Sequence, residues 1–433
     1  MQIIPRESTY PSDFRREDCL VLAEHIKRKR SVEIIGMKRV GISNFLRYFI
    51  YQSQIKKTYF DKEAQIIFIP VNLNDLVERE ITPFWLLTFK RLVDSIEVKI
   101  KDPKAVNKIN HLFDKSIQTK DLFITIDSLR QALNYLIEQH ITPVFFFIGF
   151  DRLKDALSVD FFDNLRGLRD GSNKEIIYIF TSLRQLDKIG NFLDENTKSR
   201  LVSTMYFKPA QSKDMVYIFN TLEAKYAVKL DKNIKEKIIE LSAGHVQYLY
   251  LSVISLHDHL SKYKQFQDDP IDIINKDERI LLQSEELISS LSVDEQRILI
   301  EVFKKQNPTS LKKLKSNYLW ETGMIIEKEK TNKIFSSFLT YYLKQNIIHH
   351  INGDGSYLTK KEHVLFETLK LYLNTICERD TILEKVWPEY MESGVSDWAV
   401  DRLVARLRKK LEATNSKYQI KTIKTRGFML EEK

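Results

Sequence analysis

Residues 31–49 read SVEIIGMKRVGISNFLRYF, and this stretch decides the fold. An apolar run, Val32–Ile35, ends at Gly36, and a second glycine, Gly41, stands directly before a helical pattern that begins at Ile42. Glycines at both ends of such a loop let backbone N–H groups turn inward, and the following helix adds its partial positive charge. The stretch therefore predicts a phosphate-binding loop between a buried strand and a helix. The candidate ligand residues of this loop are Gly36, Lys38, Arg39, Gly41 and Ser43.

The first two hundred residues alternate short apolar runs with longer helical patterns, which is typical of a parallel sheet covered by helices. The predicted strands are Val32–Ile35, Ile66–Val71, Val144–Ile148, Ile176–Phe180 and Thr204–Phe207. The predicted helices are Ile42–Ile50, Phe84–Ile96, Leu122–Gln139 and Phe161–Arg169. The expected fold class is α/β, with a doubly wound, parallel, five-stranded sheet.

Four motifs in this region resemble the AAA+/STAND group of P-loop ATPases over about residues 12–260. FRRE at 14–17 is similar to the FxGRE entry of that group, and GMKRVGISNFLRYF at 36–49 to its GxRRVGKTSLL loop and following helix. FDNLRGLR at 162–169 and TSLR at 181–184 look like its sensor 1 region. The resemblance implies a P-loop ATPase domain at 1–209, a helical lid at 210–264, and ATP or ADP with Mg²⁺ as the ligand.

Two positions depart from the pattern of the group. Ile42 stands where the loop lysine, which bridges the β- and γ-phosphates, is expected. When PVFFFIGFDRL is aligned on its Phe-Asp-Arg-Leu end, Ile148 and Gly149 take the places of the Asp-Glu pair that holds Mg²⁺ and polarises water. The expectation is an ATPase fold that does not hydrolyse ATP, and weak nucleotide binding stays open. Asp151 and Thr181 are the further candidate residues for such binding.

After Pro209 the strand signal stops and helical periodicity continues to about Leu260. Residues 265–283 begin with QFQDDPIDIINKD, a polar, acidic stretch with a proline, and are predicted to be a linker. Residues 284–357 predict a first winged helix-turn-helix domain. Its elements are helices at Leu291–Gln306, Leu311–Trp320 and Asn332–Gln345 and strands at Ile347–Ile351 and Tyr357–Thr359, around the turn Asn352–Gly355.

Residues 358–433 resemble the OmpR-type winged-helix effector domain of response regulators over nearly their whole length. The similar segments are LTKKEHVLFETLK at 358–370, LEKVW at 383–387, the helix end RLRKKL at 406–411, and TIKTRGF at 422–428 in the place of the family's TVRGVGY wing. Thr425 replaces the first glycine of the wing. The resemblance implies a helix that enters the DNA major groove and a hairpin wing that contacts the backbone.

The spacing of the last helix supports this interpretation. Apolar residues recur at Val400, Leu403, Val404, Leu407 and Leu411, which places them on one face. Between residues 400 and 430 there are nine cationic residues and two acidic ones. A cationic helix and hairpin suit DNA phosphates, and the alternative is a solvated basic face on a protein-binding domain. The candidate DNA-binding residues are Arg402, Arg406, Arg408, Lys409, Lys410, Thr422, Lys424 and Arg426, of which Arg402 and Arg406 are expected to face the groove.

The composition of the chain indicates its cellular compartment and does not identify its partner. The chain has 433 residues and a formal charge of +9, and its two cysteines match no disulfide or zinc pattern. Its first residues contain no secretory signal pattern, and no apolar run is long enough to span a bilayer. These features predict a cytoplasmic protein without a membrane anchor or a bound metal ion.

Three functions remain open at this level. The first is a double-stranded DNA-binding protein, either a transcriptional regulator or the DNA-recognition component of a larger assembly. In it, an inactive ATPase-fold domain would serve homo-oligomerisation or docking of a protein partner. The second is an ATP switch of the STAND or replication-initiator type that couples nucleotide state to DNA binding. The third is a protein-interaction scaffold.

Overall fold

The computed structural model describes residues 5–99, 102–190, 193, 195–304, 318–328, 331–351, 356–388, 397–413, 415–424 and 426–433. The chain divides into two compact units, Met1–Val253 and Ile254–Lys433.

The first unit is built on a five-stranded sheet. Its strands are β1 (Val32–Gly36), β2 (Gln65–Asn72), β3 (Ile141–Ile148), β4 (Ile177–Ser182) and β5 (Ser203–Phe207). They are all parallel and lie in the order β2-β3-β4-β1-β5. The predicted fold class, a parallel five-stranded α/β sheet, is therefore confirmed for this unit. β1 lies inside the sheet, between β4 and β5.

Helices cover both faces of the sheet, as crossover connections between parallel strands require. The helices up to β5 are α1 (Arg16–Lys27), α2 (Ile42–Tyr51), α3 (Ser53–Tyr59), α4 (Ile81–Lys99), α5 (Pro103–Thr119), α6 (Leu122–Glu138), α7 (Val159–Asp170), α8 (Leu186–Ile189) and α9 (Glu195–Leu201). After β5 follow α10 (Ser212–Tyr226), α11 (Lys232–Ser242) and α12 (Val246–Tyr263), and the boundary between the two units falls within α12. Helices α1, α3, α5, α8 and α9 have no counterpart among the helices predicted from the sequence.

The core beneath the helices is rich in aromatic residues. Phe145, Phe147, Tyr178 and Phe180 on neighbouring strands β3 and β4 are at most 2% exposed. The Tyr178 hydroxyl donates to the carbonyl of Leu165 on α7 at 3.0 Å, so that its buried polar group is satisfied. The aromatic run of β3 thus fixes the strand end that borders the phosphate loop.

The second unit contains α13 (Pro270–Lys276), α14 (Glu278–Ser289), α15 (Val293–Phe303), α16 (Tyr318–Glu321), α17 (Ser337–Asn346), α18 (Lys360–Leu371), α19 (Arg379–Val386) and α20 (Asp397–Ala413). Its strands are β6 (Ile325–Lys328), β7 (Thr331–Ile334), β8 (Ile347–Ile351), β9 (Ser356–Thr359), β10 (Cys377–Glu378), β11 (Tyr418–Ile423) and β12 (Gly427–Glu432). β6 pairs with β7, β8 pairs with β9, and the last three strands form a sheet in the order β10-β12-β11.

Residues 265–283, predicted to be a linker, contain helix α13 and the first half of α14. The Asp269 carboxylate accepts from the Ile271 amide at 2.7 Å, with Pro270 in the first helical turn. Asp277 caps α14 in the same way, through the Arg279 amide at 2.9 Å. The acidic residues and the proline that suggested a linker are therefore helix-start residues.

The middle of the second unit also differs from the prediction. A helix was expected from Asn332, whereas residues 331–334 form β7, which pairs with β6, and α17 begins at Ser337. The indole of Trp320 donates to the Asn332 side chain at 3.0 Å and ties the hairpin to α16. The predicted helix at 311–320 and the turn at 352–355 lie largely or wholly outside the described residues.

Candidate phosphate-loop site and nucleic-acid interface

The predicted phosphate loop connects β1 to α2 through two residues with positive φ. Arg39 has φ +62° and Gly41 has φ +120°, so the chain turns sharply before the helix. A Cβ placed on Gly36 would lie 3.0 Å from the terminal methyl of Ile42. The side chain that replaces the expected lysine is therefore folded back against the strand end, and it supplies no charge.

A cavity of ≈ 390 Å³ lies beside the loop. Its lining includes five of the predicted ligand residues, namely Arg39, Gly41, Ser43, Asp151 and Thr181. The other two, Gly36 and Lys38, do not line it. The structure thus brings most of the predicted loop site together at the carboxyl edge of the sheet.

The described residues that line this cavity include a single carboxylate. Ile148 and Gly149, at the end of β3, line the cavity where the family pattern has its two acids. Asp151 is the one carboxylate among the described lining residues, and burial raises its pKa, with its own amide, Arg152 and Lys38 opposing the change. The Thr181 hydroxyl accepts from the Gly149 amide at 2.9 Å. Within the described residues, no group of three or more His, Cys, Asp or Glu side chains could hold a metal ion.

The helical region after β5 closes on the loop through His245. The Nε2 atom of His245 lies 3.0 Å from the Lys38 carbonyl, and Nδ1 accepts from the Tyr248 amide at 3.3 Å. Burial lowers the pKa of His245 to about 4. The ring is therefore neutral near pH 7, and it donates from Nε2 because a carbonyl can only accept.

The helical region after β5, which was predicted to be a lid, approaches the loop closely beside His245. A Cβ on Gly41 would lie 2.5 Å from a methyl of Val246, the first residue of α12. Apart from the glycine that precedes His245, no local pattern in the sequence indicates this contact. The lid residues at the loop are consequently apolar or neutral.

The apolar face of α20 is confirmed. Val400, Leu403, Val404, Leu407 and Leu411 are at most 1% exposed and belong to the core of residues 358–433. The helix therefore presents its remaining residues to neighbouring helices and to solvent.

The cations of α20 are divided between these two environments. Arg402 lies 3.7 Å from Glu286, and Arg406 lies 2.5 Å from Glu285. Both acids are on α14. The expectation that these two arginines project into a groove differs from the structure, because α14 in the same unit carries acids opposite them. Whether they bind DNA stays a prediction.

A third carboxylate engages the same side of α20. Glu362 on α18 binds Lys410 at 2.8 Å and lies 3.8 Å from the Nε atom of Arg406. Lys410 is 8% exposed and Glu362 3% exposed, so this pair is internal. Lys410 therefore stabilises the domain in the present arrangement.

The hairpin β11–β12 is joined to α20 by Arg408. Its guanidinium donates to the Ile420 carbonyl and to the Thr422 hydroxyl, both at 3.0 Å. Lys409, Lys424 and Arg426 are exposed. Thr425, at the tip, lies outside the described residues. Of the eight predicted DNA-binding residues, three are thus cations on the open surface of the helix and hairpin.

The fold and the site together define a chain with a parallel α/β domain, in which a glycine-flanked loop joins β1 to α2, and a C-terminal winged helix. Residues 353–430 match the family described as "Transcriptional regulatory protein, C terminal". The response regulator protein GraR of Staphylococcus aureus is 37% identical over 79 residues, which cover 18% of this chain and 34% of that protein. GraR of Staphylococcus haemolyticus is 38% identical over 76 residues, or 18% of this chain and 33% of that protein. The matches thus span about a third of the length of these relatives.

Solved structures are similar over a longer part of the chain. A Walker-type ATPase of Pyrococcus abyssi has a TM-score of 0.48 and 16% identity, and covers 79% of this chain and 97% of its own. The ORC2 protein of Aeropyrum pernix has a TM-score of 0.43 and 10% identity, with 76% and 93% covered. Among the described residues, no helix has the length and apolarity needed to cross a membrane.

Proposed function

We propose that this protein binds double-stranded DNA through the helix α20 and the hairpin β11–β12, as a transcriptional regulator or as the DNA-recognition component of a larger assembly. The observation that carries the proposal is the exposure of Lys409, Lys424 and Arg426 in a segment that matches a transcriptional regulatory family. Cations on a helix and an adjoining wing neutralise phosphates and thereby position the helix on the duplex.

Arg408 supports this role from inside the domain. Because its guanidinium holds Ile420 and Thr422 of β11, the hairpin keeps a fixed position relative to α20. Lys409 on the helix and Lys424 and Arg426 on the hairpin would then approach the DNA as one surface, and little ordering would be required on binding.

The proposal for the first unit is a module for oligomerisation or partner docking that does not hydrolyse ATP. Ile42 lacks the charge that a γ-phosphate requires, and Ile148 and Gly149 offer no carboxylate for Mg²⁺. The Thr181 hydroxyl already accepts from the Gly149 amide. The site therefore lacks the charged lysine and the acid pair with which the family pattern binds Mg²⁺ and activates water.

An ATP-binding switch is the second candidate function. A cavity of ≈ 390 Å³ beside the loop, lined by Gly41 and Ser43, favours it. Backbone amides of such a loop can bind phosphate without the lysine, although more weakly. Mg²⁺ would then be bound through the Ser43 hydroxyl. Asp151 is the one carboxylate among the described residues that line the cavity.

Retention of duplex DNA by the full chain across a salt series tests the DNA-binding proposal. The logarithm of the binding constant should fall with the logarithm of salt concentration by about 0.9 for each phosphate contact. Replacing Lys424 and Arg426 together by alanine should make this slope shallower by roughly 2.

The hairpin also supplies a matched control. Lys417 and Lys421 lie on β11 or next to it and pair with Glu432 and Glu431, so their double alanine variant has the same change in charge. We expect its slope to stay close to that of the unaltered chain. Binding that ignores salt, or equal slopes for both double variants, would overturn the proposal.

A further inference from the structure

A second strongly cationic surface lies at the end of the parallel sheet where its strands begin, and the phosphate loop lies at the other end of the strands. The segments that precede β1, β4 and β5 meet there, because parallel strands begin at the same edge. They surround a cleft of ≈ 460 Å³, here called the amino-edge cleft. Its cationic lining residues are Arg28, Lys29, Arg30, Arg169, Lys174 and Arg200.

The charges of this cleft are only partly neutralised. Arg28 lies 3.5 Å from Glu24, and Lys29 pairs with Glu175. Within the described part of the chain, no carboxylate lies within ion-pair distance of Arg30, Lys174 or Arg200, and all three are exposed. Three solvated cations therefore remain on the rim of one concave surface.

Arg169 forms the floor of the cleft. It is 8% exposed, and its guanidinium donates to the carbonyls of Leu201 at 2.9 Å and Arg200 at 3.3 Å. Its Nε atom lies 3.5 Å from Asp170 and makes no hydrogen bond. Arg169 thus binds the end of α9 and holds Arg200 beside the segment before β1.

The electrostatic effect of the cluster reaches a neighbouring side chain. Burial lowers the pKa of His25 on α1, and the nearby Arg30 and Arg28 lower it further. A field that disfavours protonation of a histidine favours an anion at the same place.

The other lining residues indicate which kind of anion fits. Among the described lining residues none is aromatic, and the two apolar ones, Leu201 and Val202, are 4% exposed. The cleft therefore offers neither a stacking surface for bases nor an apolar anchor for a protein partner. The hydroxyls of Ser31, Ser199 and Ser203 line it as well, and hydroxyl and arginine donors are typical phosphate ligands.

We infer that the amino-edge cleft is a second docking surface for the phosphate backbone of duplex DNA, independent of base sequence. The inference rests on the proposed function in naming duplex DNA as the polyanion. Two contacts on one chain raise the effective concentration of DNA at each of them, so that a modest cleft contact adds substantially to the overall affinity.

The first experiment compares salt slopes for the full chain on a duplex of mixed sequence. Replacing Arg30, Lys174 and Arg200 together by alanine should make the slope shallower by about 2 to 3, because each lost contact contributes about 0.9. Arg169 is kept, since it binds the carbonyls of α9. An unchanged slope overturns the inference, and the cleft would then serve an acidic protein or no partner.

The control removes three exposed lysines elsewhere in the same unit, Lys104, Lys115 and Lys213, and so has the same change in charge. We expect no change in its slope beyond the small effect of net charge. If the salt slope becomes equally shallow in the control and in the cleft variant, the effect is one of total charge and the inference fails.

The hairpin variant separates this inference from the proposed function. If the cleft variant weakens binding and the Lys424/Arg426 variant does not, the cleft inference stands and the hairpin proposal falls. If the reverse holds, the hairpin proposal stands and the cleft inference falls. The unaltered chain offers a direct measurement: bound DNA should protect Lys174 from acetylation and leave Lys104 reactive. If Lys174 stays reactive when DNA is bound, the cleft inference is wrong.

Discussion

Glu362 gives the sharpest test of how the C-terminal domain is held together, because one carboxylate there performs two separable tasks. It accepts from the Thr359 amide at 2.8 Å and so completes the capping box at the start of α18. It also neutralises Lys410 at 2.8 Å and lies near Arg406. Glutamine in its place can still accept the cap hydrogen bond, whereas it carries no charge.

The two tasks predict different costs. Glu362→Gln should lower the free energy of unfolding of the domain by about 3 kcal/mol, since it leaves Lys410 internal and without its carboxylate. Glu362→Ala should cost roughly 1 kcal/mol more, because it removes the cap as well. A second change, Lys410→Met, should restore most of the loss caused by glutamine, because the uncompensated charge is removed.

Hydrogen exchange of the full chain is the appropriate assay, since a chain with two units does not unfold in one step. A loss of about 3 kcal/mol corresponds to roughly hundred-fold faster exchange of the most protected amides of α18 and α20. Peptides from β3 and β4 in the first unit serve as internal controls. Additive effects of Glu362→Gln and Lys410→Met would refute the reasoning, because they would show that the two groups are not coupled.

The same pair predicts a direction with pH. Burial alone would raise the pKa of Glu362, but Lys410, the Thr359 amide and Arg406 outweigh burial and hold the pKa below its ordinary value of 4.5. A depressed carboxyl pKa stabilises the fold above the unfolded pKa. This stabilisation should be lost as the pH falls below about 4.5 through the folded pKa, and the glutamine variant should lack that part of the pH dependence.

Two further predictions concern the loop and α14. Ile42→Lys should tighten binding of labelled ATP with Mg²⁺ about ten-fold or more without turnover, since a charge-assisted contact contributes about 1.5–3 kcal/mol; tight binding and turnover by the natural protein would contradict the inactive site. Replacing Glu285 and Glu286 together by glutamine should raise DNA affinity by about three- to ten-fold if the arginines opposite them contact phosphate. Glu367→Gln with Glu384→Gln is the control of equal charge, and equal affinities for the two variants would mean that those arginines are structural.

The sequence predicted the sheet well because its strands carry their own signal. The ends of the five apolar runs lie within three residues of the ends of β1 to β5, and the loop glycines follow the carboxyl end of β1. Residues 332–334 were assigned to a helix because Asn-Lys-Ile has little periodicity of its own, and the pairing of β7 with β6 decides its conformation. Asp269 and Asp277 appeared to mark a linker because capping residues and loop residues have the same composition.

The candidate site was predictable as a set of residues and not as a set of contacts. Arg39, Gly41 and Ser43 meet Asp151 and Thr181 at one cavity because they all follow strands that end at the same edge. His245 was not predicted, because its hydrogen bond to the Lys38 carbonyl spans 207 positions and has no local pattern. In the same way, no feature of α20 alone revealed that Glu285 and Glu286 lie opposite its arginines.

The number of cations in the sequence and the number on the surface predict different salt slopes for DNA binding. If all nine cations between residues 400 and 430 bound phosphate, the salt slope would be about −8. Five of the nine are paired with carboxylates, namely Arg402, Arg406, Lys410, Lys417 and Lys421, and Arg408 binds β11. The other three, Lys409, Lys424 and Arg426, lie on the open surface. Three contacts give a slope of about −3, and three more in the amino-edge cleft give about −5. A steeper slope would require that DNA also recruits cations that are paired in this structure, by displacing Glu285, Glu286 and Glu362 or by displacing Glu431 and Glu432 from Lys421 and Lys417.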